Sequence, residues 1–422
     1  MIPSYATFDI PYYALGLKAY DLLAGRSGFR PSRIVSARGA RELVPALNAT
    51  RLRGAVVYSD AQFDDARLAI SLARTATDLG AAVANYVRAT AFVYDGTRVA
   101  GVRALDRESG REFEVRGRAV VNATGIFVDE LRLLDAPSAP PLLKHSRGTH
   151  LVVRADALDE ASAALMVPKT SDGRVLFAVP WHEHVVIGTT DVEAPRAELD
   201  PVPTLAEERY ILETVNRYLT RPIAKSDVRA SFAGLRPLVD RKASSTARLS
   251  REHLIDVSPS GLVTIAGGKW TTYRKMAEDV VTFAGRRANL PERPSTTADL
   301  PLHGASPSAP APEELLVYGS DASAVLQLAR AEPSLGLRLD RRLPYTSAHV
   351  VYGARFEMAR TVEDVLARRT RALFLDEDAA RARAAQVADV LAKELGHDAG
   401  WRADQERRFA ASRARYDREP TT

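Results

Sequence analysis

The run LVTIAGGKWTTYRK at 262–275 constrains the fold more than any other part of the chain. Leu262 to Ile265 has the length and apolar character of a short buried strand, Gly267 and Gly268 end it, and from Tyr273 onward the pattern is helical. A strand that passes through Gly-Gly into a helix start lets backbone N–H groups approach an anion, and the helix dipole favours negative charge there. Only eight of the 58 basic residues are lysines, so Lys269 at this turn stands apart from the generic surface charge. Read alone, the stretch is equally a tight turn with a solvated lysine. The rest of the chain has to decide.

At 422 residues there is enough chain for two domains with substantial cores. An apolar fraction of 46% and a charged fraction of 26% are those of a soluble globular protein. No run approaches the roughly 20 apolar residues of a membrane span and no signal peptide is recognisable, so the expected location is cytoplasmic. The absence of cysteine excludes disulfides, thiolate metal sites and cysteine nucleophiles. The net charge is +5, but the arginines are dispersed beside carboxylates and no zinc-finger spacing, basic arm or aromatic RNA platform occurs. Nucleic acid is not an expected partner.

Strands are expected at 55–59, 81–87 and 112–115, with a helix over 65–78 that Gly80 stops. Residues 91–104 give two alternating runs joined at Asp95-Gly96, a hairpin signal. Strand, helix, strand and meander make an α/β plan. From 151 to 270 the pattern is β-rich, with runs at 151–153, 174–181, 184–191 and 261–268 and one helix over 205–219. A Pro/Ser/Ala-rich linker fills 292–312. Periodic segments at 313–330, 348–373, 378–396 and 398–416 read as a helical C-terminal domain.

Several short stretches could carry chemistry. In VVNATGIFVDEL at 120–131 a buried strand runs through Thr124 and Gly125 into a helix start, where the glycine allows close approach of a cofactor and the threonine offers a hydroxyl. The same residues also make a plain strand-to-helix turn. His150 precedes a strand, where a histidine commonly has a structural role. Thr190 and Asp191 end another strand. Arg236 lies between Gly234 and Pro237, which restrict the backbone presenting it. Arg236, Arg251 and Lys269 enter from separate strand ends and could converge on a phosphate or carboxylate, or each could be a solvated charge. No P-loop, HExxH or GxSxG motif is present, and no metal is expected.

Together these stretches resemble the family of FAD-dependent glycerol-3-phosphate dehydrogenases, in the D-amino-acid-oxidase-like flavoenzyme group. The resemblance runs through PYYALGLKAYDLLAG, YSDAQFDDARL, NATGIFVDEL, KHSRGTHLVV, DGRVLFAVPW, IGTTD, SFAGLRPL, GGKWTTYRKMAEDV and residues 343–376, and so spans nearly the whole chain. It implies a fold of an incomplete FAD-binding Rossmann-like layer, an antiparallel substrate-binding sheet and an all-helical C-terminal domain. It divides the chain into an oxidoreductase domain at 1–291, with its cofactor part at about 50–130 and its substrate sheet at about 140–270, the linker, and the helical domain at 313–422. The implied reaction oxidises sn-glycerol 3-phosphate to dihydroxyacetone phosphate, with hydride passing to FAD and electrons to a quinone. Carried onto these residues, His150 accepts the C2 hydroxyl proton, and Arg236 polarises the C2 oxygen. Arg236, Arg251, Lys269 and Thr190 hold the substrate, with Lys269 also among the catalytic groups. Thr124, Gly125, Gly268, Lys269, Thr271 and Thr272 line FAD. Any membrane contact is expected to be peripheral; the basic helices after 348 could lie on a bilayer, and a solvated face is the competing reading.

One departure bears on all of this. The family's opening strand–GxGxxG–helix does not occur in this sequence, nor does the His-Gly-Gly-Leu-Arg-Tyr run that follows it. The expectation is therefore an N-terminally incomplete version of the enzyme. The rivals are a non-catalytic remnant or interaction subunit of the family, and a related FAD-dependent amine or hydroxy-acid oxidase. Two arginines and a lysine suit a dianionic phosphate better than a single carboxylate.

Overall fold

The computed structural model describes residues 1–25, 28–168, 170, 173–239, 253–306 and 311–413. Strands β1 (Ile2–Ser4), β2 (Arg33–Ser36) and β3 (Gly54–Val57) form an antiparallel sheet in the order β1-β3-β2. Helix α1 (Asp9–Ala24) joins the first two strands, and α2 (Ala37–Leu43) starts where the Ser36 hydroxyl accepts from the Gly39 N–H. Helix α3 (Asp65–Asp78) has the bounds that its periodicity predicts, with the Asp64 carboxylate capping it by accepting from the Arg67 N–H at 3.0 Å.

The strand expected over 81–87 does not form. Gly80 turns with φ +89°, the Ala81 N–H closes back on the Ala76 carbonyl at 2.9 Å, and Tyr86 has φ +57°. The residues after α3 therefore serve as its C-terminal cap, a use that apolar content alone does not reveal. Extended structure begins with β4 (Val87–Asp95), which runs into β5 (Arg98–Asp106) and β6 (Glu112–Arg116) as an antiparallel meander, with Gly96 at φ +58° in the first turn.

The strand–turn–helix units flank one parallel pair. Strand β7 (Val121–Asn122) leads through a 3-10 turn at Gly125–Phe127 into α4 (Val128–Asp135). It lies parallel to β15 (Val263–Gly267), whose other neighbour is the antiparallel β14 (His253–Val257). Helix α6 (Tyr273–Arg287) follows β15 and packs back on it, burying Val280 and Ala284 against Val263 and Ile265.

The largest sheet contains β8 (Leu143–Arg154), β9 (Leu165–Val167), β10 (Leu176–Trp181), β11 (His184–Gly188), β12 (Val192–Ala194) and β13 (Val228–Val239). Its order is β12-β8-β11-β10-β9, and β13 also pairs with β8. Leu151, Val153, Leu176, Ala178, Val185 and Ile187 bury one face against Ile211 and Val215 of α5 (Leu205–Asn216) and against the first sheet. Side chains alternate along a strand, so that burial turns Ser146, Gly148 and His150 to the opposite face.

The C-terminal part is helical, as expected: α7 (Ala322–Ala331), α8 (Ser347–Phe356), α9 (Ala372–Leu375), α10 (Glu377–Ala382), α11 (Ala384–Leu395) and α12 (Ala399–Arg413). The helical segment expected over 348–373 is interrupted. It stops at Phe356, Met358 and Arg371 take φ +55° and +59°, and a π-helical turn at Asp364–Arg369 lies between them. The break turns Glu357 inward to a partner on α3, a pairing that periodicity cannot register.

Candidate functional site

The β8–β13 ladder puts His150 opposite Phe232 and Arg236 opposite Ser146, and on its other edge His150 faces Gly188 of β11. With the period of two, His150, Gly148, Phe232, Gly234 and Arg236 share one face. The imidazole of His150 stacks on Phe232 with centroids 5.1 Å apart and planes at 14°. Phe232 in turn meets the edge of Phe374, on α9, at 4.9 Å. A side chain at Gly188 would strike the His150 ring.

Arg236 is held by the turn between β11 and β12. Its Nη1 donates to the Thr190 carbonyl at 3.1 Å and its Nη2 to the Thr189 hydroxyl at 3.0 Å, with Asp191 3.9 Å away. Gly148 makes the room for this: a Cβ there would stand 2.5 Å from Nη2. Burial, and then the nearby Arg236 charge, push the His150 imidazole down to about 4, against a smaller opposing pull from Asp65. His150 is therefore neutral at physiological pH, with a basic nitrogen able to take a proton. The Thr190 hydroxyl is engaged on both sides, accepting from the Thr149 N–H at 2.9 Å and donating to Glu207 at 2.9 Å.

The second cluster lies at the C-terminal ends of the parallel strands, where open α/β sheets commonly bind ligands. Thr124 and Gly125 follow β7; Gly268, Lys269, Thr271 and Thr272 follow β15. Gly125 and Gly268 have φ +59° and +78°, and a Cβ on Gly268 would collide with the Met276 sulfur. The Thr124 hydroxyl donates to Asn122 at 2.7 Å, and buried Asn122 donates to the Val128 carbonyl at 2.9 Å, which fixes the turn from behind. Lys269, Thr271 and Thr272 are exposed, and the Thr272 hydroxyl donates to the Lys269 carbonyl at 3.0 Å. The clusters are neighbours, since β13 packs on both β15 and the Gly125–Phe127 turn, and His145 Nε2 lies 2.9 Å from the Ile126 carbonyl.

Of the expected site residues, His150, Arg236 and Thr190 come together on the sheet face. Thr124, Gly125, Gly268, Lys269, Thr271 and Thr272 come together at the two strand ends. Arg251 lies outside the described residues. Sequence reading passed over Gly148, which with Thr189 shapes the seat of Arg236, and Glu207, whose only signal was a Thr-x-x-Glu helix start. It also passed over a cavity of about 600 Å³ beside Thr124, walled by Val87, Arg88, Arg107, Phe127 and Leu131. Nothing distinguished Val87 and Arg88 from the rest of an ordinary strand, or the other wall residues from an ordinary turn and helix.

A family model described as FAD dependent oxidoreductase matches residues 11–274, and one described as the C-terminal domain of alpha-glycerophosphate oxidase matches residues 265–402. The chain is 38% identical over 427 residues to the mitochondrial glycerol-3-phosphate dehydrogenase of Homo sapiens, covering 94% of this chain and 58% of that protein. To the mitochondrial glycerol-3-phosphate dehydrogenase SDP6 of Arabidopsis thaliana it is 37% identical over 432 residues, covering 93% and 68%. Among solved structures, the glycerol-3-phosphate dehydrogenase from Bacillus halodurans complexed with FAD superposes with a TM-score of 0.75 at 28% identity, covering 92% of this chain and 80% of that one. The chain spans 58% of the length of the mammalian relatives it matches.

Proposed function

This chain belongs to the FAD dependent oxidoreductase family, and from that premise we propose that it oxidises sn-glycerol 3-phosphate at C2 to dihydroxyacetone phosphate. The observation that carries the proposal is a neutral His150 imidazole on the same sheet face as the Arg236 guanidinium. Loss of hydride from C2 requires the hydroxyl proton to leave as well, and His150 is the group able to accept it. Arg236 spends two N–H groups on Thr189 and Thr190. A guanidinium fixed in this way can stabilise negative charge growing on the C2 oxygen. We also assign Arg251 and Lys269 to the substrate phosphate, and Thr190 contributes through the carbonyl that holds Arg236.

The residues fit FAD. Positive-φ glycines at Gly125 and Gly268 let backbone approach a ligand, and the cavity beside Thr124 combines apolar walls with Arg88 and Arg107, as an anionic dinucleotide requires. Thr124, Gly125, Gly268, Lys269, Thr271 and Thr272 would hold it. FAD, when bound, supplies the hydride acceptor.

We assign residues 1–291 to the oxidoreductase part, 292–312 to a linker and 313–422 to the helical part; α6 ends at Arg287 and helical structure resumes at Glu313. The electrons then go to a quinone, and the contact with its membrane is peripheral. Among the described residues no helix is long and apolar enough to cross a bilayer. We place the face for such contact on α1, where Tyr12, Leu15, Leu22 and Leu23 are exposed.

The test is spectroscopic. The full chain supplied with FAD should take up the flavin, and its visible absorption should bleach on adding glycerol 3-phosphate. A chain that stays colourless, or a bound flavin that bleaches with glycine or proline instead, overturns the reading.

A further inference from the structure

We propose that Glu207, in the first turn of α5, is a positioning residue that fixes the Arg236 guanidinium for the substrate oxygen. The proposal rests on the role given to Arg236 above.

The seat of Arg236 is made by residues that the sheet itself does not hold. Strand β11 leaves its ladder at the Gly188–His150 pair, and β12 joins the same strand at Val192–Arg147. Between them, Thr189, Thr190 and Asp191 have no ladder register, yet Thr189 and Thr190 supply two acceptors for Arg236. Side chains do the holding. Asp191 accepts from the Ser146 hydroxyl and pairs with Arg174 at 3.0 Å. Thr190, 4% exposed, accepts from the Thr149 N–H and donates to Glu207 Oε1.

Glu207 is the anchor at the far end of this chain of bonds. Its side chain is buried, at 5% exposure. Its Oε2 accepts from the Thr204 N–H at 3.0 Å and the Thr204 hydroxyl at 2.8 Å, and Arg147 Nη2 lies 2.9 Å from the same oxygen. Burial acts to raise its pKa, but the Thr204 and Arg147 donors outweigh it and hold the carboxyl below its ordinary range. An ionised carboxylate only accepts, so the Thr190 hydroxyl must point its hydrogen at Glu207 and a lone pair at the Thr149 N–H. That fixes the rotamer of Thr190 and, with it, the orientation of the turn whose carbonyl faces Arg236. Capping α5 uses only the Thr204 contacts. The bonds to Thr190 and Arg147 exceed what a helix start needs, and the first of them runs toward the site.

The test is a double-mutant cycle in the flavin-loaded protein, with a second readout that needs no turnover. Glu207→Ala should lower kcat/KM about 10- to 100-fold, mostly through kcat, since misplacing a group by about an ångström costs that order. Flavin absorption should be unchanged. In an Arg236→Ala background the same substitution should add less than about threefold, because coupled residues are not additive. Independently, NMR titration of His150 should move upward in Glu207→Ala, as the Arg236 charge that helps hold it down is displaced while Asp65 still pulls the other way. It should not move in the Arg236→Ala background. Multiplicative losses in the cycle, or an unmoved His150 titration, would overturn the proposal. If Glu207→Ala does not fold, Thr190→Val keeps the α5 cap, cuts the same link and is read identically. A parent that does not turn over glycerol 3-phosphate would defeat the functional reading, while the His150 titration would still decide the role of Glu207.

Discussion

Arg67 of α3 and Glu357, just past α8, form a doubly bonded ion pair inside the protein. Arg67 Nη1 donates to one carboxylate oxygen at 2.8 Å and Nη2 to the other at 2.6 Å, with the two side chains 9% and 1% exposed. The guanidinium also lies over the Tyr318 ring, 4.2 Å from its centroid, and the Glu357 carbonyl accepts from Arg369. The pair bolts the helical part to the oxidoreductase part. Glu357→Ala strands a buried guanidinium and should cost about 3–5 kcal/mol, read as a lower urea midpoint. A midpoint within error of the parent would mean water or another acceptor replaces the carboxylate.

Gly148→Ala should act on Arg236 without removing any polar group. The new methyl would lie 2.5 Å from Nη2 and 2.6 Å from the Thr189 hydroxyl, so the guanidinium must leave its seat. The expected loss in kcat/KM is about 100-fold, with the folded far-UV spectrum retained. Kinetics close to the parent would show that Arg236 works from another position.

Arg236→Ala removes the donor itself and should cost about 2–5 kcal/mol of transition-state binding, tens- to thousands-fold in kcat/KM. Lys269→Ala should disturb flavin binding as well, because Lys269 belongs to the turn after β15. Flavin titration separates the two: unchanged FAD affinity in Lys269→Ala would remove Lys269 from the cofactor set.

Stability should fall on mild acidification. Burial lowers both His150 and His349 from 6.5 to about 4 in the folded protein. Between those values the unfolded chain binds protons that the folded chain refuses, so their contribution is full above about pH 6.5 and is lost as pH falls toward 4. Urea midpoints of the parent and of His349→Phe, measured from pH 7 to 4, check this. The variant should show the shallower acid limb, and parallel curves would rule the linkage out.

Peripheral membrane contact through α1 predicts that Leu22→Glu with Leu23→Glu reduces co-sedimentation with anionic lipid vesicles. Both leucines are more than four-fifths exposed, at 83% and 87%. Equal sedimentation of variant and parent would move the contact elsewhere on the surface.

Features that close within a few residues could be read from the sequence. The bounds of α3 follow from periodicity with a capping aspartate at one end and a glycine at the other. The Asp95-Gly96 hairpin and the strand–Gly-Gly–helix at 263–287 follow from turn chemistry and the change of period. The mixed α/β architecture with antiparallel sheets and a helical C-terminal part was legible for the same reason. So was the family, because its motifs are local strings in a fixed order. His150 and Arg236 could be nominated, but not joined.

What only the tertiary structure decided is which distant residues share a space. The β8–β13 register pairs positions 146 and 236, and that pairing places Gly148 under a guanidinium 88 residues away. Glu207 reads as a helix cap until the fold brings Thr190 to its other oxygen. Residues 348–373 read only as helical until the fold turns Glu357 inward to Arg67. Propensity, capping and turn preference are set by neighbours along the chain. Burial, charge pairing and the room around a side chain are set by neighbours in space, and those exist only once the chain has folded.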